Sequence, residues 1–257
     1  MRQSRARIVK IRLALIALAL AVVAGFFSLG RWQLHRAAEK QQMLDAVTAA
    51  LGRKQAMPLS AAADADSEGY AWASGRGHFL DTPALLLDNQ RRDDAVGVRV
   101  FGVFKPEQGR ALLVDLGWLP VPGNRQLPLA SLPTGEQALV GLLAPPPSTG
   151  LPLGPAFVIT DNEGRAVAQG AAVRAQDQPW LLTRVDLAAL AAGLQVPLAP
   201  RVLRLDPALP LGYARDLDVL PNTVPPERHR GYALQWFGLA LATIVITLLL
   251  GFRRPRP

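Results

Sequence analysis

Pro225-Pro226-Glu227-Arg228-His229-Arg230-Gly231-Tyr232-Ala233-Leu234-Gln235-Trp236-Phe237 opens the stretch that decides the fold. From Gly231 to Phe252 the chain carries no charge over 22 residues. As a helix, that run reaches about 33 Å, enough to cross a bilayer core. Its first turns hold a histidine, two arginines, a tyrosine and a tryptophan, more polar equipment than a plain anchor needs.

A second apolar run, Leu13 to Gly30, lies near the start of the chain. Its small residues at Ser28-Leu29-Gly30 suit a cleavable signal peptide. The run is longer than a usual signal core, however, and helical spacing continues through Leu34, Ala37, Leu44, Val47 and Leu51. The expectation is an uncleaved transmembrane helix over 13–30 that continues as an amphipathic helix over 31–52. Basic tails over 1–12 and 253–257 then flank a β-rich domain over 53–228 and a second transmembrane helix over 229–252.

Charge supports this division. The 257 residues hold 28 Lys and Arg against 20 Asp and Glu, a net charge of +8. Arg2, Arg5, Arg7, Lys10, Arg12, Arg253, Arg254 and Arg256 all lie outside the apolar runs; without them, 20 basic residues face 20 acidic ones. The excess is a topology signal that holds both termini in the cytoplasm. The intervening domain is then extracytoplasmic, which in a bacterium means periplasmic, and the chain is a two-pass protein of the inner (plasma) membrane in contact with lipid. A nucleic-acid partner would require the excess on the folded domain. With no cysteine, disulfides, thiol chemistry and covalent CxxCH haem attachment are excluded. Three methionines are too few for a Met-based copper carrier.

Between the helices the period changes to two. Residues 55–69 read as a linker. Strands are expected at Tyr70–Phe79, Ala84–Gln90, Val96–Phe104, Ala111–Leu119 and Ala138–Leu143, punctuated by Pro and Gly. A hairpin of Phe157–Thr160 with Ala166–Ala168, a strand at Trp180–Thr183, a helix over Leu187–Leu194 capped by Asp186, and a last strand at Arg201–Leu205 follow. The fold class is membrane α+β: two transmembrane helices flank an antiparallel β-rich extracytoplasmic domain with one or two short helices.

The chemistry is sparse. There is no GxSxG, HExxH, P-loop, GxGxxG or EF-hand loop. Asp64/Asp66, Asp93/Asp94 and Asp216/Asp218 read as solvated loop carboxylates. His78 reads as a strand residue, and His35 as dressing at the membrane interface beside Trp32 and Arg36. His229 is the best candidate. In a helix that begins at Pro225–Pro226, His229, Tyr232, Ala233 and Trp236 share one face. From these residues alone, His229 is either a ligand or an interfacial histidine beside belt aromatics.

Three blocks resemble the Surfeit-locus (Surf/Shy) family of cytochrome c oxidase assembly factors. They are Leu29-Gly30-Arg31-Trp32-Gln33-Leu34-His35-Arg36-Ala37-Ala38-Glu39-Lys40, Ala111-Leu112-Leu113-Val114-Asp115-Leu116-Gly117-Trp118-Leu119-Pro120, and Pro226 to Phe237. Their order and the two-helix topology match along the chain. Leu116 stands where the family often has arginine, and Glu227-Arg228 where it often has Asn-Asn. The resemblance implies a role in maturing haem-copper (aa3-type) oxidase and no enzymatic activity. It further implies transient binding of haem a and delivery to the oxidase catalytic subunit, with haem a synthase as a further partner. His229 corresponds to the proposed axial ligand of the haem iron. Trp32, Tyr232 and Trp236 would line the cofactor site, and Arg36, Arg228 or Arg230 would pair with a propionate. Two other classes compete: a scaffold that grips the nascent oxidase subunit without haem, and a membrane-anchored periplasmic enzyme.

Overall fold

A computed structural model describes residues 2–53, 56–60, 69–123, 126–147, 154–160, 178–219 and 224–252, without the side chains of 2–6, 8 and 9. In chain order the elements are α1 (Arg2–Arg53), β1 (Met57–Pro58), β2 (Ala71–Phe79), β3 (Leu85–Arg92), β4 (Ala95–Pro106), β5 (Ala111–Pro120), β6 (Glu136–Ala144), β7 (Phe157–Ile159), β8 (Trp180–Leu182), α2 (Leu187–Leu194), β9 (Leu198–Leu205) and α3 (Pro226–Phe252). They belong to two compact units: Met1–Asp45 with Thr223–Pro257, and Ala46–Asn222.

The first unit is a pair of helices. No proline interrupts the chain before Pro58, so α1 is continuous. α3 begins at a proline pair, and the Pro225 carbonyl accepts from the Arg228 and His229 amides at 3.1 and 3.4 Å. Both helices are long and apolar enough to cross a membrane, consistent with a two-pass membrane protein. Val23, Phe26, Gly30, Gln33 and Ala37 are the shielded positions over this part of α1, and Pro226, His229, Ala233, Trp236, Ala240, Thr243 and Thr247 over α3, with Phe237 shielded beside them. Steps of three and four residues make each set a single stripe, the pattern of helices packed nearly in line. Phe26 stacks on Trp236 with ring centroids 5.7 Å apart, and Phe27 meets Phe237 at 5.4 Å. A Cβ on Gly30 would lie 2.6 Å from the Phe237 ring. Small residues let helix backbones approach where lipid supplies no hydrophobic drive.

The second unit is built on a nine-stranded sheet in the order β1-β2-β6-β9-β5-β4-β3-β8-β7. β2 pairs also with β4, Gly77–Phe79 against Phe104–Pro106. The strands β2, β6, β9, β5 and β4 therefore close into a ring. The sheet is mixed and not antiparallel as the sequence suggests. β1 runs parallel to β2, β8 to β3, and β9 to β5. The reason is connectivity: β9 arrives after α2 and inserts between β5 and β6, so it must run with one neighbour and against the other. Among the described elements, the short helix α2 stands between β8 and β9. The Asp186 carboxylate caps it by accepting from the Ala189 amide at 3.0 Å.

Sheet pleating sorts β5 between two cores. Leu112, Val114 and Leu116 join Val98, Val100, Phe104, Leu143 and Leu203 on one face. Ala111 and Leu113 join Phe101, Val103, Trp180, Leu182 and Leu190 of α2 on the other. The polar run Asn89–Asp94 is strand up to Arg92, after a register shift near Asn89. The turn is Asp93–Asp94 alone, both at positive φ, as a two-residue hairpin requires. Of the linker, Met57–Pro58 pairs with β2 and 61–68 lie outside the described residues, as do Ala166–Ala168, Asp64, Asp66 and the basic residues 253–256.

Gly117-Trp118 ties β5 to the chain beyond β9. Leu116 and Trp118 exchange backbone bonds with Tyr213 and Ala214, and the Trp118 indole donates to the Gln90 carbonyl at 3.0 Å. Gly117 adopts φ +117°, and a Cβ there would lie 2.7 Å from the Tyr213 carbonyl oxygen. Beside it, the buried Asp115 carboxylate meets Arg99 Nη1 at 2.6 Å and Arg204 Nε at 3.5 Å, and accepts from the Gly117 amide at 3.0 Å. Burial lowers the pKa of Arg204, and Asp115 opposes that shift.

Two expectations follow for the full-length, detergent-solubilised protein. Asp115→Ala leaves two mostly buried guanidinium groups short of their counterion and costs about 3–5 kcal/mol in chemical denaturation, whereas Glu107→Ala, exposed just past β4, leaves the midpoint unchanged. In the cysteine-free chain, the double variant Phe26→Cys/Trp236→Cys is joined by a short bifunctional thiol reagent, and adding Gly30→Leu lowers the yield. Equal yields with glycine and leucine would mean that Gly30 does not set the approach of the two helices.

Candidate functional site

His229 lies in the first turn of α3, partly buried, on the stripe that faces α1. Its Nδ1 is 2.6 Å from Oε1 of Gln33 on α1. Among the described residues Nε2 has no hydrogen-bond partner. Two turns further along α3, Trp236 lies against Phe26. These two of the five candidate residues sit on the contact stripe.

The other three flank it. Trp32 is adjacent to Gln33, and Arg36 is one helical turn from Trp32, so both lie to one side of the α1 stripe. Tyr232 is displaced from His229 by three residues on α3. Because the paired contacts run antiparallel, that displacement falls on the same side of the helix pair as Trp32 and Arg36. Trp32 is 53% and Tyr232 41% exposed. The Arg36 guanidinium pairs with Glu39 at 2.7 Å, an exposed contact worth little and easily exchanged. His35 points away from the stripe, 74% exposed, and its Nε2 lies 3.1 Å from Glu39. It is therefore no partner to His229. Arg230 donates to Gln41 at 3.2 Å, a further tie between the helices.

The arrangement is an exposed, aromatic flank beside one histidine whose far nitrogen is available. Phe237 over Gly30 and Phe26 on Trp236 fill the seam itself, so a planar ligand would be held on the flank. A neutral imidazole with an available nitrogen suits an iron, and aromatic faces suit a lipophilic macrocycle. Gln33 and Phe26 are the residues that the reading from sequence missed. Their signal is the three-and-four spacing Phe26–Gly30–Gln33–Ala37, which places them opposite the α3 stripe.

The second unit offers less. His78 is exposed on β2. Asp216 is more than a solvated carboxylate: it accepts from Arg92 at 2.7 Å beside Arg204. A cavity of about 490 Å³ between Phe79–Ala84, Leu127–Gly135 and Gln178–Pro179 has Asp81 as the one carboxylate among its described lining residues. Among the described residues, no group of three His, Cys, Asp or Glu is placed to hold a metal ion.

No curated protein matches the chain. The model of the SURF1 family matches residues 20–241, from within α1, through every strand, into α3. A match over that span includes the histidine, the α1 stripe, the α3 stripe as far as Ala240 and all nine strands together: the chain belongs to the SURF1 family, a family associated with cytochrome c oxidase assembly.

Proposed function

We propose that this protein carries haem a as cargo during assembly of haem-copper oxidase. It receives the haem at the flank of the α1–α3 pair and passes it to the oxidase catalytic subunit, with haem a synthase as the source. The observation that carries this reading is the state of His229. It is fixed at a helix–helix contact through Nδ1, Nε2 has no partner among the described residues, and it stands beside Tyr232 and Trp236 on an apolar helix. His229 would be the axial ligand, Trp32, Tyr232 and Trp236 would contact the macrocycle, and Arg36 would exchange Glu39 for a propionate. An open flank suits transient cargo, since little need be dismantled for release. On this reading the chain is a two-pass protein of a bacterial inner membrane, with cytoplasmic termini and the sheet unit in the periplasm.

The filled seam favours one alternative, a scaffold whose aromatic flank docks an oxidase helix and never holds haem. Co-expression with a haem a-synthesising system separates the two. The purified protein is expected to show a haem a visible spectrum, and His229→Ala to lose most of it while far-UV circular dichroism stays unchanged. Colourless, folded wild-type protein from membranes containing haem a would leave the scaffold.

A further inference from the structure

We propose that Gln33 is a positioning residue for His229: its side-chain carbonyl selects the tautomer and the ring orientation that leave Nε2 as the available lone pair. The inference builds on the reading of His229 as haem ligand but rests on its own geometry. At 2.6 Å from Nδ1, Gln33 Oε1 is an acceptor, so the imidazole must donate. A neutral imidazole with its proton on Nδ1 has none on Nε2. Free imidazole side chains prefer the opposite tautomer, with the proton on Nε2, and that form would present an N–H where a ligand needs a lone pair. One carbonyl oxygen therefore biases His229 toward the tautomer that can coordinate.

Three features make the contact specific. Gln33 and His229 are both partly buried on the facing stripes of α1 and α3, where water competes poorly for the bond. The partners lie 196 residues apart in sequence, so the bond exists only when the helices are paired. The contact is bracketed by Phe26 on Trp236 to one side and Arg230 on Gln41 to the other, which holds the register of the two helices at this level. The same bond also gives the ligand its electronic character. An acceptor on Nδ1–H makes Nε2 a better donor, and a stronger acceptor more so.

The test uses the full-length chain in lipid nanodiscs, labelled with ¹⁵N-histidine. It has only three histidines, and the His229 signals are those lost in His229→Ala. Without haem, wild-type His229 is expected to carry its proton on Nδ1. Gln33→Leu moves it toward Nε2, and Gln33→Glu, which restores an acceptor, keeps it on Nδ1. A wild-type proton on Nε2, or an unchanged tautomer in Gln33→Leu, overturns the proposal. With haem a added, Gln33→Leu binds roughly tenfold to hundredfold more weakly, as loss of an outer-shell partner does. Its ferrous iron–histidine stretching band falls in frequency, while that of Gln33→Glu rises; an unmoved band in both variants also overturns the proposal. A colourless wild type whose His229 still carries its proton on Nδ1 refutes the haem reading and supports the positioning role of Gln33.

Discussion

The approach of Gly30 to Phe237 is the constraint on which the helix pair depends. A Cβ at position 30 would lie 2.6 Å from that ring, so glycine lets the Phe237 ring rest directly on the α1 backbone at this level, and a larger residue would have to displace it. Once the helices close, register follows. Phe26 must meet Trp236, Phe27 must meet Phe237, and two turns away Gln33 meets His229. In lipid no hydrophobic drive brings helices together, so close packing and a few polar contacts must do it. The histidine's surroundings are a consequence of packing several residues away.

A different closure organises the sheet unit. β4 is long enough for one of its edges to serve two partners, β3 along Ala95–Phe101 and β2 along Phe104–Pro106. Gly77 permits the second, since a Cβ there would lie 2.1 Å from the Lys105 carbonyl oxygen. The ring so formed buries one face of β5 while β8 and α2 cover the other, and the buried Asp115 is met by Arg99 and Arg204. The Gly117-Trp118 pair belongs to the same knot. Its place in the family pattern is accounted for by a positive φ and by backbone bonds to Tyr213 and Ala214. Leu116, where arginine is often found in the family, points into the apolar core beside Val114 and Leu112. The buried arginines here come from β4 and β9 instead.

These details explain what could be read from the residues and what could not. Local signals carried the helices: uncharged length, the proline pair before Glu227, and the cap at Asp186. Strand positions followed from alternation and from Pro and Gly. Strand direction did not, because the parallel pairs β5–β9 and β3–β8 join residues distant in sequence, and alternation is the same in either direction. The run Ala111 to Trp118, apolar but for Asp115 and Gly117, is a local mark of a strand covered on both faces, and all of it is buried. Asp115 looked like a strand residue because its partners come from other strands. Gln33 is hidden for the same reason: it stands between Trp32 and His35 in the sequence, and only the facing helix shows which of the three is turned inward.

That distinction bears on where a ligand can sit. Between Trp32, Gln33 and His35, a helix presents three directions: the flank, the seam and the far side. His35 takes the far side and binds Glu39 there. Gln33 takes the seam, and Trp32 the flank. A second axial ligand from His35 would require α1 to rotate by roughly half a turn, since two positions advance the helix by about 200°. Such a rotation would remove Gly30 from beneath Phe237 and Gln33 from His229, breaking the contacts that fix the pair. Coordination by both histidines is thus incompatible with the packing of α1 on α3. On the proposed reading, His229 would be the one of these two histidines to hold a haem, with Trp32 and Tyr232 beside it on the exposed flank, and a cargo held by so few groups on an open face would be readily released.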